Sequence, residues 1–312
     1  MTRRDIVKNA IAHKETDRVP YCVNFLPEAE KMLKPYYSEC EFQQTIGNYV
    51  YQIGPPWWDW YNLPDSYKEF DAPVSLPQTI GTGNYADFFE KCRAVHEETD
   101  CYVLATIWGS HFEKAYFARG IENFLADLAG NKEFAQELLS LIIKKNLVML
   151  ENIISCPYIN GVLLGSDWGS QKSLLMSPKV WRELIAPGEK KEYDLLKSAG
   201  KEVWIHSCGN VESIIPDLIE MGVDVLNPLQ PECMDIYEIK RKYGNRLTFW
   251  GGISTQQTLP YGTPEEVREE TRRVIQELSR GGGYIASPAQ GIQEDVPIEN
   301  MLAFIDEIRK FG

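Results

Sequence analysis

Short β-branched and aromatic runs recur along this chain with long helical patterns between them, and few of the runs alternate apolar with polar residues. A strand wetted on one side alternates, whereas a strand buried on both faces does not, so the rhythm calls for a parallel sheet covered by helices. The runs fall at 19–25, 102–108, 161–167, 202–208, 223–230, 247–253 and 283–288, with an eighth near 49–53. Eight such units predict a closed (β/α)8 TIM barrel, and 312 residues suit one.

The intervening segments carry helix-boundary signals. Ser177-Pro178 opens a helix that Ala199-Gly200 closes, and Thr263-Pro264-Glu265-Glu266 reads as a capping box with Pro at the first helical position. Gly222 and Gly244 stand where left-handed caps would end two helices. Residues 131–155 form an amphipathic pattern with Phe134, Leu138, Leu141, Ile142, Leu147 and Leu150 on one face. No low-complexity linker interrupts the series, which predicts a single domain over 1–312. Residues 54–77 break the rhythm with Trp57, Trp58, Trp60, Tyr61 and Tyr67 among five prolines. They read as a loop excursion over one end of the barrel, either a packed cap or an aromatic wall around a flat or methylated substrate.

Charge narrows the partners. Lys and Arg total 32 against 45 Asp and Glu, a formal net charge of -13, and such a surface repels phosphate backbones and anionic lipid. Nucleic acid and membrane surfaces are excluded as partners. The N-terminal residues are charged every few positions and no run reaches the roughly 18 apolar residues of a membrane span, so a cytoplasmic protein is expected. Seven scattered cysteines without a secretory signal predict free thiols, most of them small buried hydrophobes.

In a β/α barrel the residues that do chemistry stand at the C-terminal ends of strands. There the chain offers Asp167 and Gln171 after one run, His206 and Cys208 at the end of the next, then Gln230, Trp250, Gln290 and Gln293 after or within the later ones. His206 and Cys208, two apart on an extended strand, share one face and can ligate zinc or act as base and nucleophile. Asp167 is a catalytic candidate, although an Asp after a strand also caps loops. Gln230 and Gln290 are further catalytic candidates, while Trp108, Glu113, Gln171, Trp250 and Gln293 are expected to contact substrate. His111 is a weaker candidate for the pocket wall, and His13 and His96 read as solvated surface residues.

At these positions a family resemblance appears. Ser170-Gln171-Lys172, Ile205-His206-Ser207-Cys208-Gly209-Asn210, Phe249-Trp250-Gly251-Gly252-Ile253 and Val296-Pro297-Ile298-Glu299-Asn300 resemble the uroporphyrinogen decarboxylase superfamily from about residue 160 onward. The resemblance implies a β/α barrel and one of two chemistries. Decarboxylases of the superfamily hold substrate carboxylates on an Arg-rich loop after the first strand, whereas residues 21–28 here read Tyr-Cys-Val-Asn-Phe-Leu-Pro-Glu, without Arg. The other branch comprises corrinoid-dependent methyltransferases that bind zinc through His-x-Cys and a later Cys. His206 and Cys208 match the first two ligands, and Gln290 stands where the later Cys would be.

With one thiolate, a neutral imidazole and a neutral amide, zinc would keep a formal charge of +1 and act as a stronger Lewis acid than with two thiolates. The expected function is therefore methyl transfer between a small molecule, an O- or N-methylated donor or a non-thiol acceptor, and the corrinoid of a partner protein. The chain shows no corrinoid-binding module of its own. The alternatives are a decarboxylase of the same superfamily or a catalytically silent barrel-fold binding protein; barrels of this kind often form homodimers.

Overall fold

The computed structural model describes residues 1–37, 46–58 and 83–312. Most of the aromatic excursion expected at 54–77, with Trp60, Tyr61 and Tyr67, lies outside these residues, as does Cys40. The six described cysteines are free thiols.

Seven strands occur among the described residues: β1 (Val50–Ile53), β2 (Tyr102–Ile107), β3 (Gly161–Gly165), β4 (Glu202–His206), β5 (Val225–Leu229), β6 (Thr248–Ile253) and β7 (Tyr284–Pro288). Their order in the sheet is that of the chain. β2–β3, β3–β4, β5–β6 and β6–β7 pair in parallel, and β2, β3, β5, β6 and β7 are buried at every position. Burial on both faces is why these runs do not alternate. The result is a TIM-barrel-like α/β fold.

The expected strand at 19–25 does not form a ladder. Tyr21 and Phe25 make only isolated parallel bridges, to Ala286 and Ile292. Pro20 has no N–H to donate, and the main chain of Val23 is taken by a side chain instead: its N–H donates to Asn48 Oδ1 and its carbonyl accepts from Asn48 Nδ2, both at 2.9 Å. An amide side chain thus stands in for a neighbouring strand. The run near 49–53 is a regular strand, β1.

The chain divides into two compact units, one of Met1–Tyr51, Thr99–Tyr102 and Asp224–Gly312, the other of Gln52–Glu98 and Val103–Val223. In the first, the helices Pro264–Leu278 and Ile298–Ile308 pack together, Arg268 donating to the Ala303 carbonyl and Arg272 to Glu307. Each buries an apolar face, Val274, Ile275 and Leu278 on one and Phe304 and Ile308 on the other. Thr263 and Glu266 complete the expected capping box. Gly244 departs from expectation, with an ordinary right-handed φ of -67°. It is glycine for space, because a Cβ there would run into the Lys240 carbonyl.

In the second unit Gly222 caps its helix in the left-handed region, φ 94°. The helix Lys132–Ile154 packs on the helix Ala186–Ser198, where Asn146 meets Glu192, and buries Leu138, Leu139, Ile142, Ile143, Asn146 and Leu150. Phe134, Leu141 and Leu147 are only half-buried, so the inward face is turned from the expected one toward Asn146. The helix beginning at Pro178 widens into a π-helical turn, Trp181–Ile185, just ahead of Pro187, which cannot donate to a regular ladder. No helix among the described residues is long and apolar enough to cross a membrane.

Candidate metal centre

The register pairs Gly165, the last residue of β3, with His206, the last of β4. Asp167 and Cys208 each follow by two residues, so one neighbouring pair of strand ends delivers all three side chains. The two loops are laced together. Ser166 N–H donates to the His206 carbonyl at 2.8 Å, Cys208 N–H to Asp167 Oδ1 at 2.8 Å, and Trp168 N–H to Ser207 Oγ at 2.9 Å. Gly169 and Gly209 let the backbones touch: a Cβ on Gly169 would collide with the Cys208 carbonyl, and one on Gly209 would lie 2.6 Å from the Gly169 carbonyl carbon.

Cys208 Sγ lies 3.2 Å from His206 Nε2, and Asp167 Oδ1 lies 3.6 Å from the same nitrogen. The three potential ligand atoms are all within 4.8 Å of one another. A nucleophile–base–orienter relay uses both ring nitrogens, one for each partner. Here thiol and carboxylate converge on one nitrogen, as donors to a shared cation do. Sulfur, nitrogen and oxygen donors of this kind fit zinc, and three protein ligands leave a fourth position open. The His206 side chain is 12% and the Asp167 side chain 35% exposed, so the centre is recessed yet reachable.

Two neighbours shape the approach. Trp108, just past β2 and 52% exposed, meets the His206 ring edge-on with centroids 4.8 Å apart. Burial, aided by the charge of Asp167, pushes the Glu113 carboxyl up to about 7 against the hydrogen bonds it accepts. One of these comes from the Tyr116 hydroxyl at 3.0 Å.

Trp108, Glu113, Asp167, His206 and Cys208 therefore gather in the second unit. Gln171, in the same unit, is exposed in the turn after Ser170. Gln230, Trp250, Gln290 and Gln293 belong to the first unit. There Gln230 is buried, Gln290 half-buried and Gln293 exposed, while Trp250 is sealed with its indole N–H donating to the Cys22 carbonyl at 3.4 Å.

The other histidines differ from expectation. His111 is wholly buried, with Nδ1 3.0 Å from Glu189 Oε1, while Tyr193 donates to Glu189 Oε2 at 2.8 Å. Beside it Asn146 donates to Glu192 Oε1 at 2.7 Å and accepts from Trp58 Nε1 at 2.8 Å. Burial holds the Glu192 carboxyl well above its usual range, with the Glu189 charge adding to it. His13 is half-buried, 3.0 Å from the Gly244 carbonyl, and the half-buried His96 packs on Tyr158. Sequence reasoning missed Ser166, Ser207, Gly169 and Gly209. A signal was present, because a residue between two ligands on a strand end must face the neighbouring loop.

The uroporphyrinogen decarboxylase (URO-D) family model matches residues 64–311, and the chain belongs to that family. Among curated relatives it is 26% identical over 136 residues to a methylated-thiol–coenzyme M methyltransferase of Methanosarcina mazei, covering 44% of this chain and 34% of that protein. It is 27% identical over 153 residues to the uroporphyrinogen decarboxylase of Actinobacillus succinogenes, covering 49% and 39%. The matches thus span between a third and two fifths of those relatives. A methyltransferase structure from Methanosarcina mazei shares the fold, with a TM-score of 0.70 at 17% identity over 100% of this chain and 99% of that one.

Proposed function

We propose that the chain is a cytoplasmic methyltransferase moving a methyl group between a small molecule and the corrinoid of a separate partner protein, with zinc held by Asp167, His206 and Cys208. The convergence of Cys208 Sγ and Asp167 Oδ1 on His206 Nε2 carries this reading. It is supported by the methyltransferases among similar proteins and by the absence of Arg from residues 21–28. The family match runs through both compact units, which supports reading the chain as one domain.

Bound zinc would supply Lewis acidity at its open position. Of the chain's own groups, Trp108 offers an apolar wall to a methylated substrate, and Glu113 can hold a proton beside a departing oxygen or nitrogen. Gln230 and Gln290 act as substrate-orienting amides, with Gln171 and Gln293 as further substrate contacts, while the sealed Trp250 packs within the first unit. The donor set decides the charge. A Gln290–His206–Cys208 set leaves zinc formally at +1, whereas Asp167 in place of Gln290 adds a carboxylate and cancels it. Under the proposed set the preference for an O- or N-methyl donor therefore rests on the proton that Glu113 can hold beside the leaving atom and not on a cationic zinc. Zinc affinity separates the two: Asp167→Asn weakens binding under the proposed set, and Gln290→Ala does so under the other.

The function is tested by mixing the protein with cob(I)alamin and one of three donors, a methoxyarene, a methylamine or a methyl thioether, and following loss of cob(I)alamin absorbance. Transfer from an O- or N-methyl donor that disappears in His206→Ala is expected. Transfer from the thioether alone overturns the substrate assignment. A second reading, decarboxylation of a porphyrinogen-like acid, is favoured by the decarboxylases among the relatives, and it wins if uroporphyrinogen loses CO2 while no donor gives transfer. Neither activity, together with no metal, leaves a silent barrel-fold binding protein.

A further inference from the structure

The Asp167 side chain is 35% exposed, and the residues on either side of it hold its carboxylate near Cys208. Ser166 is tied to the His206 carbonyl, and Trp168 is held through both its main-chain groups: its N–H donates to Ser207 Oγ at 2.9 Å and its carbonyl accepts from Leu175 N–H at 2.8 Å. The sealed Trp168 indole meets the equally sealed indole of Trp181 edge-on, with centroids 5.4 Å apart and planes at 77°. Neither indole N–H has a hydrogen-bond acceptor among the described residues. Leu or Phe would carry no such unmet donor, so what the two indoles contribute is the rigid contact itself.

Trp181 opens the π-helical turn, in which Ala186 N–H reaches back five residues to the Trp181 carbonyl. Such a turn gives up regular helical bonding, and it recurs where a helix serves a site. Its first three side chains go to three different elements. Trp181 packs on the loop after β3. Arg182 donates to both carboxylate oxygens of Asp217, at 2.7 and 2.8 Å, and to the Ser213 carbonyl at 3.3 Å, reaching the segment that follows the loop after β4. Glu183 accepts from Lys132, the first residue of the helix Lys132–Ile154, at 2.6 Å. One short turn thus grips both ligand-bearing segments and anchors them to a third element. We infer that this turn sets the spacing between the loop carrying Asp167 and the strand end carrying His206 and Cys208, with Trp181 as the positioning residue acting through Trp168. The role rests on reading the three donors as a metal centre. The Cys208 amide nevertheless reports the spacing without metal, because it donates to Asp167 Oδ1 at 2.8 Å. A turn that only filled the core would, when cut back, weaken the whole unit; a turn that sets the spacing loosens these two loops first.

The test is amide hydrogen exchange in the metal-free full chain, read by NMR at Cys208 and Trp168 against the ladder amides of β3 and β4. Trp181→Leu is expected to speed exchange at Cys208 and Trp168 by more than about tenfold, with β3 and β4 changing by less than about twofold. Trp181→Phe keeps an aromatic edge and should stay within about threefold of the wild type. Arg182→Ala removes a half-exposed ion pair of little weight in stability, so it serves if Trp181→Leu fails to fold, and it should speed Cys208 by about threefold. Cobalt(II) in place of zinc separates this role from the metal reading. A thiolate-to-cobalt absorption band should titrate in the wild type and need about tenfold more cobalt in Trp181→Leu. No band in the wild type contradicts the metal reading, and the exchange data then decide the positioning role alone. Uniform acceleration through β3 and β4, unchanged exchange at Cys208 in Trp181→Leu and Arg182→Ala, or equal cobalt affinity in Trp181→Leu and the wild type overturns it.

Discussion

Two polar clusters in the same compact unit use the same residue types to opposite ends. At Asp167, His206 and Cys208, two acidic groups converge on one imidazole nitrogen of a recessed but reachable histidine. At His111, Glu189 and Glu192 the histidine is sealed: Nδ1 faces Glu189, and Nε2 lies against Gly188, where a Cβ would come within 2.8 Å. Convergence with an open side makes a binding site, whereas dispersion in a closed core makes a structural network. His-and-acid composition alone does not distinguish them; the direction of the lone pairs does.

The largest effect expected from this contrast is on stability. Glu189→Ala strips both His111 and Tyr193 of their partner and should cost about 3–5 kcal/mol in urea denaturation, the range for breaking a buried pair. Zinc affinity should stay unchanged in the folded fraction. Glu192→Gln, replacing an acid that burial keeps neutral, should cost less than about 1 kcal/mol. A loss as large as that of Glu189→Ala would show that Glu192 carries the buried charge instead.

The pH dependence follows from the raised carboxyls. Glu113 titrates near 7 when folded and near its ordinary 4.5 when unfolded, so the folded state holds the proton more tightly. Its contribution is complete below pH 4.5 and is lost as pH rises through 7. Metal-free protein should lose about 3 kcal/mol across that window, and Glu113→Gln should remove that share of the slope while leaving the share due to Glu192. An unchanged slope in Glu113→Gln would place the titration elsewhere.

The smallest effect concerns the loop lacing. Ser207→Ala removes the acceptor for Trp168 N–H and should cost about 1 kcal/mol of stability and about tenfold in zinc affinity. Lost stability with unchanged affinity would mean the hydroxyl supports the loop without positioning the ligands.

Much of this was legible in the sequence because burial on both faces writes itself as uninterrupted apolar runs, and the end of such a run locates the chemistry. His206 and Cys208 were visible by their two-residue spacing. The missing ladder at 19–25 was not, because its cause is Asn48, distant in sequence and of a type that more often marks a turn. Asp167 could be placed on the right loop, yet its approach to the nitrogen that Cys208 also faces depends on Gly169 and Gly209 letting two backbones meet. His111 was misplaced because its partner Glu189 comes from a helix far along the chain.

The central claim is a metal centre built from one carboxylate, one imidazole and one thiolate. Zinc content after equilibrium dialysis tests it most directly, compared across the wild-type protein, Asp167→Asn, His206→Ala and Cys208→Ser. The account predicts about one zinc per wild-type chain and more than about a 100-fold loss of affinity in His206→Ala and Cys208→Ser, beyond the range seen for outer-sphere partners. Asp167→Asn should fall in the same direction, with all three variants folded. A wild-type chain that retains no zinc, or variants that bind it as well as the wild type does, would contradict the account.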